Sequence, residues 1–363
     1  MDSAFNLWLS DSQALIKHGM QFMDATPNNP IQNTLPQGIK EADLLDAIKK
    51  SGYPLQTRIA KKLSERFHLH EEWSFKDRDS GTLRALDIFA NMPLVDFRAP
   101  QPRTSPHLSI LLECKQSELP FIFFETEHPA RLTGFPPIAG LKSHNIELAT
   151  NEDRSVYILP TLTALGLSSH DFITRPPFCN TFSKCGRRGS VLELSGEDAY
   201  NSVVMPLIKA ANHYEISEHP KLTYRYFQAT LTLPVAVLSA PMIIAKSDGQ
   251  AQFTPWVRVT RHEYDGDNHD RSKSRFWAID VVHEDYLQTY IDDHILPFAK
   301  EFAVKVLRHD EELATCEGFT EQLEGNIFQT GVKALKPRPI SKKVFGAFRN
   351  FVEAIARNSL SNK

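Results

Sequence analysis

Leu108-Ser-Ile-Leu-Leu-Glu-Cys-Lys-Gln-Ser117 begins as an apolar run and ends in charge, at Glu113 and Lys115. Read as a strand, its alternation sends Glu113 and Lys115 to one side and Cys114 to the other. A carboxylate and an ammonium closing an otherwise buried strand are costly to desolvate without a partner or a task. A second acid, Asp87, sits in a similar run upstream, Leu83-Arg-Ala-Leu-Asp-Ile-Phe-Ala90. Two acids and one lysine on neighbouring strands would form a compact divalent-metal site.

Upstream, residues 3–24 have the spacing of an amphipathic helix, and Thr26 to Gly38 is a proline- and asparagine-rich linker. Helices are expected over 41–50 and 55–67, the second with Leu55, Ile59, Ala60, Leu63 and Phe67 on one face. Trp73 to Phe75 starts a strand, and Asp77 to Gly81 is a turn. Downstream, residues 119–124 are apolar, and residues 127–190 read as an irregular, proline-rich insertion. A helix over 197–214 precedes a β-branched run, 231–245, broken near Pro241. Strands over 256–264 and 276–282 and a long helix over 285–307 complete the pattern. This order predicts an α/β fold, a mixed central β-sheet flanked by helices, with helical N- and C-terminal extensions. The expected domains are an N-terminal helix and linker over 1–39, a core over 40–310 containing the 127–190 insertion, and a basic extension over 311–363.

The 363 residues are 41% hydrophobic and 23% charged, an ordinary globular composition rather than a disordered one. Net charge is −3, but residues 333–363 hold eight Lys/Arg against Glu353 alone, so that segment is +7 and the first 332 residues are −10. No apolar run approaches the ~20 residues of a membrane span. Four cysteines and an acid in place of a basic leader point to free thiols in a reducing cytoplasm.

The helix with Gly-Tyr-Pro-Leu-Gln56, the Asp-x-x-Ser-Gly81 turn, the Arg-Ala-Leu-Asp87 strand and Leu-Leu-Glu113-Cys-Lys115 together resemble the PD-(D/E)XK, or restriction-endonuclease-like, nuclease superfamily. The resemblance covers residues 40–307 as element order and is specific only near 52–56, 79–90 and 108–117. It implies a Mg²⁺- or Mn²⁺-dependent nuclease acting on phosphodiester bonds, with DNA as the expected substrate. Asp87 and Glu113 would be metal ligands with the Cys114 carbonyl as a third. Lys115 would be catalytic, and Gln116 would touch substrate or the attacking water. It also implies a setting in bacterial antiviral defence or with partner subunits. The acid that such proteins often carry in the first core helix is replaced by Gln56; Glu65, Glu71 or Glu72 could substitute. The alternative is an inactive nuclease-fold module that binds nucleic acid or a protein.

Lys184-Cys-Gly-Arg-Arg-Gly189 reads as a basic loop whose Lys184, Arg187 and Arg188 could grip phosphate, and Lys342 and Lys343 could add sequence-independent affinity. A protein partner or a second copy could dock through residues 1–24 or 311–363. The spacing of Cys179 and Cys185 fits no common zinc pattern, and His262, His269 and His283 fall around a polar hairpin. No phosphate-binding glycine loop or nucleophile elbow is present, which removes support for nucleotide or serine hydrolysis.

Overall fold

The computed structural model describes residues 26–95, 102–127, 129–130, 132, 134–150, 156–221, 223–264, 274–320 and 335. The expected helix over 3–24, the tip of the polar hairpin with His269, and the basic segment with Lys342 and Lys343 lie outside these residues. The chain divides into two compact units, Met1–Pro54 and Leu55–Lys363. In the first, α1 (Glu41–Lys50) places acids in its first turn and lysines in its last, as the helix dipole favours, and Asp46 pairs with Lys50 one turn on.

The second unit starts within α2 (Tyr53–Leu63), at Leu55, and continues in a run of strands. These are β1 (His68–Lys76), β2 (Leu83–Pro93), β3 (Thr104–Gln116), β4 (Phe121–Glu125), β5 (Ile138–Ala139), β6 (Asn145–Thr150), β7 (Val156–Pro160), β8 (Phe178–Arg188) and β9 (Val191–Ser195). The helical run Gly196–Ala199, a π turn Tyr200–Val204 and α3 (Met205–Ser217) follow without a break. Then come β10 (Phe227–Ser239), β11 (Met242–Ala245), β12 (Ala251–Phe253), β13 (Trp256–Tyr264) and β14 (Ser274–His283). Short helical turns lead into α4 (Leu296–Arg308), and β15 (Glu317–Thr320) closes the described chain apart from residue 335.

Twelve strands form one mixed sheet in the order β1-β2-β3-β10-β14-β13-β8-β4-β11-β12, with β5 on β10 and β9 on β8; β15, β6 and β7 form a second. The fold is therefore mixed α/β with a large mixed sheet flanked by helices. β1, β2 and β3 pair antiparallel, whereas β3 and β10 pair parallel over thirteen residues, from Thr104↔Phe227 to Gln116↔Ser239. Both strands read as near-continuous apolar runs because both sheet faces are covered. Ile110, Leu112, Leu233 and Val235 pack with Leu55 and Ile59 of α2 and Phe298 and Phe302 of α4. Leu111, Ala236 and Leu238 pack on the other face with Val203, Leu207, Ala210 and Tyr214 of the α3 run. Among the described residues no helix is long and apolar enough to cross a membrane.

Among its described residues, the stretch 127–190 is not wholly irregular. It supplies β5 to β8, and the basic segment from Lys184 is a strand rather than a loop. Prolines at 136, 137 and 160 cut its strands short, which hides their alternation. Gly140, just after β5, has φ +81°, and a Cβ there would lie 2.1 Å from the Gln228 carbonyl oxygen. Gly140→Ala is expected to cost about 2–4 kcal/mol, through backbone strain plus a clash with an immobile carbonyl. Urea unfolding measures it, and a loss under ~1 kcal/mol would show that β5 can move away.

Candidate active site

The β2 run changes face at Asp87. Leu86 belongs to the core on the α3 side, while Ile88 belongs to the core under α2 and α4. Across from it, the register passes from Glu71↔Ile88 to Trp73↔Leu86, so Glu72 falls opposite Asp87. Glu72 has φ +51°, a left-handed conformation unusual for a non-glycine residue. The buried amide of Gln56, from α2, donates to Glu72 Oε1 at 2.9 Å and to the Asp87 carbonyl at 3.0 Å. One side chain thus braces both strands where the two acids meet.

β3 brings the other charges to the same place. The Cys114 N–H donates to Asp87 Oδ2 at 2.6 Å, tying the two strands together through a carboxylate. Glu113, 5% exposed, accepts from Lys115 Nζ at its Oε1, 2.5 Å away. Its second oxygen, Oε2, is buried without a hydrogen-bond partner among the described residues. Cys114 faces the opposite way, into the core with Ile110 and Leu112, as the alternation predicts.

Burial pushes the Glu113 carboxyl up to about 7; Lys115 pulls it down, and the charges of Asp87 and Glu72 push it further up. Asp87 is also raised, by burial and by Glu72, against the Cys114 N–H and Lys115. For Lys115 burial works against the charge, but Glu113 and Asp87 more than offset it and hold the ammonium above its usual range. Burial drives the Cys114 thiol far up, so it stays protonated. The site therefore holds more acid than Lys115 neutralises, and one acid oxygen there is unsatisfied.

Asp87, Glu113, Cys114 and Lys115 are brought together, and Gln116 follows on β3, partly exposed and opposite Ser239. Of the three acids left open by sequence, Glu72 is the one whose charge acts on both Asp87 and Glu113. Sequence alone does not select it, because His68-Leu-His-Glu-Glu-Trp73 lacks the apolar alternation that announces a strand. Lys184, Arg187 and Arg188 lie on β8, with Lys184 beside Ser117, Glu118 and Leu119, the residues that follow the β3 end. His262 packs its ring on Phe276, and His283 caps the following turn by accepting from Asp285 N–H. The four cysteines are free thiols.

Among the described residues no group of three or more His, Cys, Asp or Glu is placed to hold a metal ion by itself. Two carboxylates suffice for Mg²⁺, which keeps several waters and takes substrate oxygens for the rest. The unpartnered Glu113 oxygen beside Asp87 fits such an ion. No family model matches the chain, and neither the curated proteins nor the solved structures include a significant match.

Proposed function

We propose that this chain is a divalent-metal-dependent nuclease that hydrolyses phosphodiester bonds, in DNA, at the end of β3. The observation that carries this reading is the buried, unpartnered Oε2 of Glu113, next to Asp87 and next to a lysine paired with its other oxygen. A buried anionic oxygen without a donor is a standing cost unless a cation meets it.

Asp87 and Glu113 would hold Mg²⁺ or Mn²⁺, with the Cys114 carbonyl on the same strand end as a further oxygen. Bound there, the ion would supply Lewis-acid polarisation of the phosphate and a lowered pKa for an attacking water. The rest belongs to the protein. Lys115 stays charged and is aimed by Glu113, so it can meet negative charge developing on the scissile phosphate. Gln56 holds Glu72 and the Asp87 backbone in place, so the acid cluster is built before substrate arrives. Gln116, next along the strand, is the polar side chain we assign to substrate or water.

The test is a cleavage assay on plasmid, linear and single-stranded DNA and on RNA, with and without Mg²⁺ or Mn²⁺. DNA cleavage that requires the metal is the expected result; no cleavage of any substrate under either metal would sink the reading. Metal binding should also depend on pH, because the ion competes with a proton on Glu113. With that group near 7, apparent Mn²⁺ affinity should rise by up to about tenfold per pH unit below pH 7 and level off above it. Calorimetric titration reads this, and a flat profile would exclude Glu113 as a ligand.

A second reading is a non-catalytic module that binds nucleic acid or protein. It is favoured by the engagement of Asp87 Oδ2 with a backbone N–H and of Glu113 Oε1 with Lys115. DNA binding without cleavage under either metal would select it.

A further inference from the structure

The tip of the β8–β9 hairpin stands outside the core. Its register runs from Lys184↔Ser195 to Arg188↔Val191, so Gly189 and Ser190 form a two-residue turn. Gly189 has φ +64°, and a Cβ there would meet nothing within 4 Å, so the tip is narrow and open. Arg187 faces Leu192 across the ribbon, and Arg188 faces Val191. Alternation puts these two pairs on opposite faces. Each face of the tip therefore joins one guanidinium to one aliphatic side chain. Val191 and Leu192 are 61% and 57% exposed, and the Arg188 side chain is 85% exposed, with Glu193 at 3.8 Å. At its root the hairpin meets Ser117, Glu118 and Leu119, across an open cleft of about 740 Å³ that also touches Lys184. These residues directly follow Lys115 and Gln116.

We propose that this hairpin is a ribbon that enters a groove of double-stranded DNA and seats the duplex against the β3 end. The partner's identity rests on the nuclease reading; the surface is argued from the hairpin itself. A two-stranded ribbon fits a duplex groove. Entering tip first, it turns each face to one wall of the groove, so each phosphate wall meets one arginine, and the aliphatic neighbour lies against sugars and base edges. An apolar side chain exposed beside a guanidinium suits that polyanionic yet partly apolar lining better than it suits water. The cleft at the root then connects the seated duplex to the Glu113–Lys115 end of the strand.

The test uses the full chain and a fluorescein-labelled DNA duplex in EDTA, read by anisotropy over a range of salt. Removing both guanidinia (Arg187→Ala with Arg188→Ala) should weaken binding at least about tenfold and make the log–log salt slope shallower by about 1.8, for two lost phosphate contacts. Leu192→Ser should weaken binding while leaving the slope unchanged. Thermal melts of each variant matching the wild type show that the fold is intact. Wild-type affinity and slope in the arginine variant would overturn the proposal, as would failure of the wild type to bind duplex. Because β9 pairs only with β8 among the described residues, it could instead join two copies of the chain. A Leu192→Ser variant that changes sedimentation but not DNA affinity would select that and overturn the ribbon. Cleavage separates the two readings. A chain that binds through the hairpin but never cuts removes the nuclease and keeps the ribbon. A chain that cuts and binds equally well without the arginines does the reverse.

Discussion

Glu113→Gln is expected to abolish DNA cleavage and, at about pH 8, to make the fold harder to unfold. The first effect follows, on the proposed nuclease reading, from losing a charge that would bind the metal. The second follows from its burial. The carboxyl moves from 4.5 to about 7 on folding, so between those values the folded chain binds a proton that the unfolded chain has released. Stability attributable to this group is present at low pH and is lost as pH rises through that window. Above it the folded protein carries a cost of about 3 kcal/mol, taking 1.36 kcal/mol per pKa unit. That cost is already net of the attraction to Lys115, so glutamine, which resembles the neutral form, should gain up to about 3 kcal/mol near pH 8, shrinking towards pH 5. Lys115→Ala, by contrast, should slow cleavage by about a hundred- to a thousandfold, the usual consequence of losing one group that meets transition-state charge. Urea unfolding at the two pH values, paired with cleavage rates, decides the matter. A Glu113→Gln protein that still cuts, or that is less stable than the wild type at the higher pH, contradicts the assignment.

Asp280→Ala is expected to destabilise the fold by about 3–5 kcal/mol, a larger loss than Gly140→Ala should bring. Arg258 and Asp280 are adjacent in register on β13 and β14, and both are fully buried. Arg258 donates from Nε and Nη2 to the two Asp280 oxygens, each at 2.7 Å, and from Nη1 to the Phe172 carbonyl at 2.6 Å. The buried Tyr290 hydroxyl donates to Asp280 Oδ2, and the Phe135 and Phe172 rings each lie 4.5 Å from the guanidinium carbon. Removing the carboxylate strips a buried cation of its counter-charge. Replacing both residues with leucine removes the charge pair together and should cost much less than Asp280→Ala, despite the change in shape. A fall of less than ~1 kcal/mol for Asp280→Ala would mean that water reaches the guanidinium.

The two pairs differ in how far sequence reveals them. Glu113 and Lys115 interrupt an apolar run, so their oddness is local and visible, and the same holds for Asp87. The strands around them, the turn at Asp77 and the apolar stripe of Ala199, Val203, Leu207 and Ala210 follow from periodicity and turn chemistry, and that stripe is fully buried. Glu72 can be narrowed only to one of three acids, because its place depends on a left-handed residue and on a glutamine sixteen positions earlier. Arg258 and Asp280 sit in strands whose alternation hides which polar residue points inward. The region after residue 127 conceals its strands because they are short, broken by proline, and paired with distant segments.

The thirteen-residue parallel ladder between β3 and β10 also bears on the order in which the chain assembles. β1, β2 and β3 are neighbours in sequence and can meander together early, bringing Asp87 alongside Glu113. β10 can join only after the 110 residues between Gln116 and Phe227 have been looped back, a closure costing about 4 kcal/mol in chain entropy before any contact is made. Loop-closure entropy thus favours an order in which the acid-bearing strands pair first and the core that desolvates Glu113 closes afterwards.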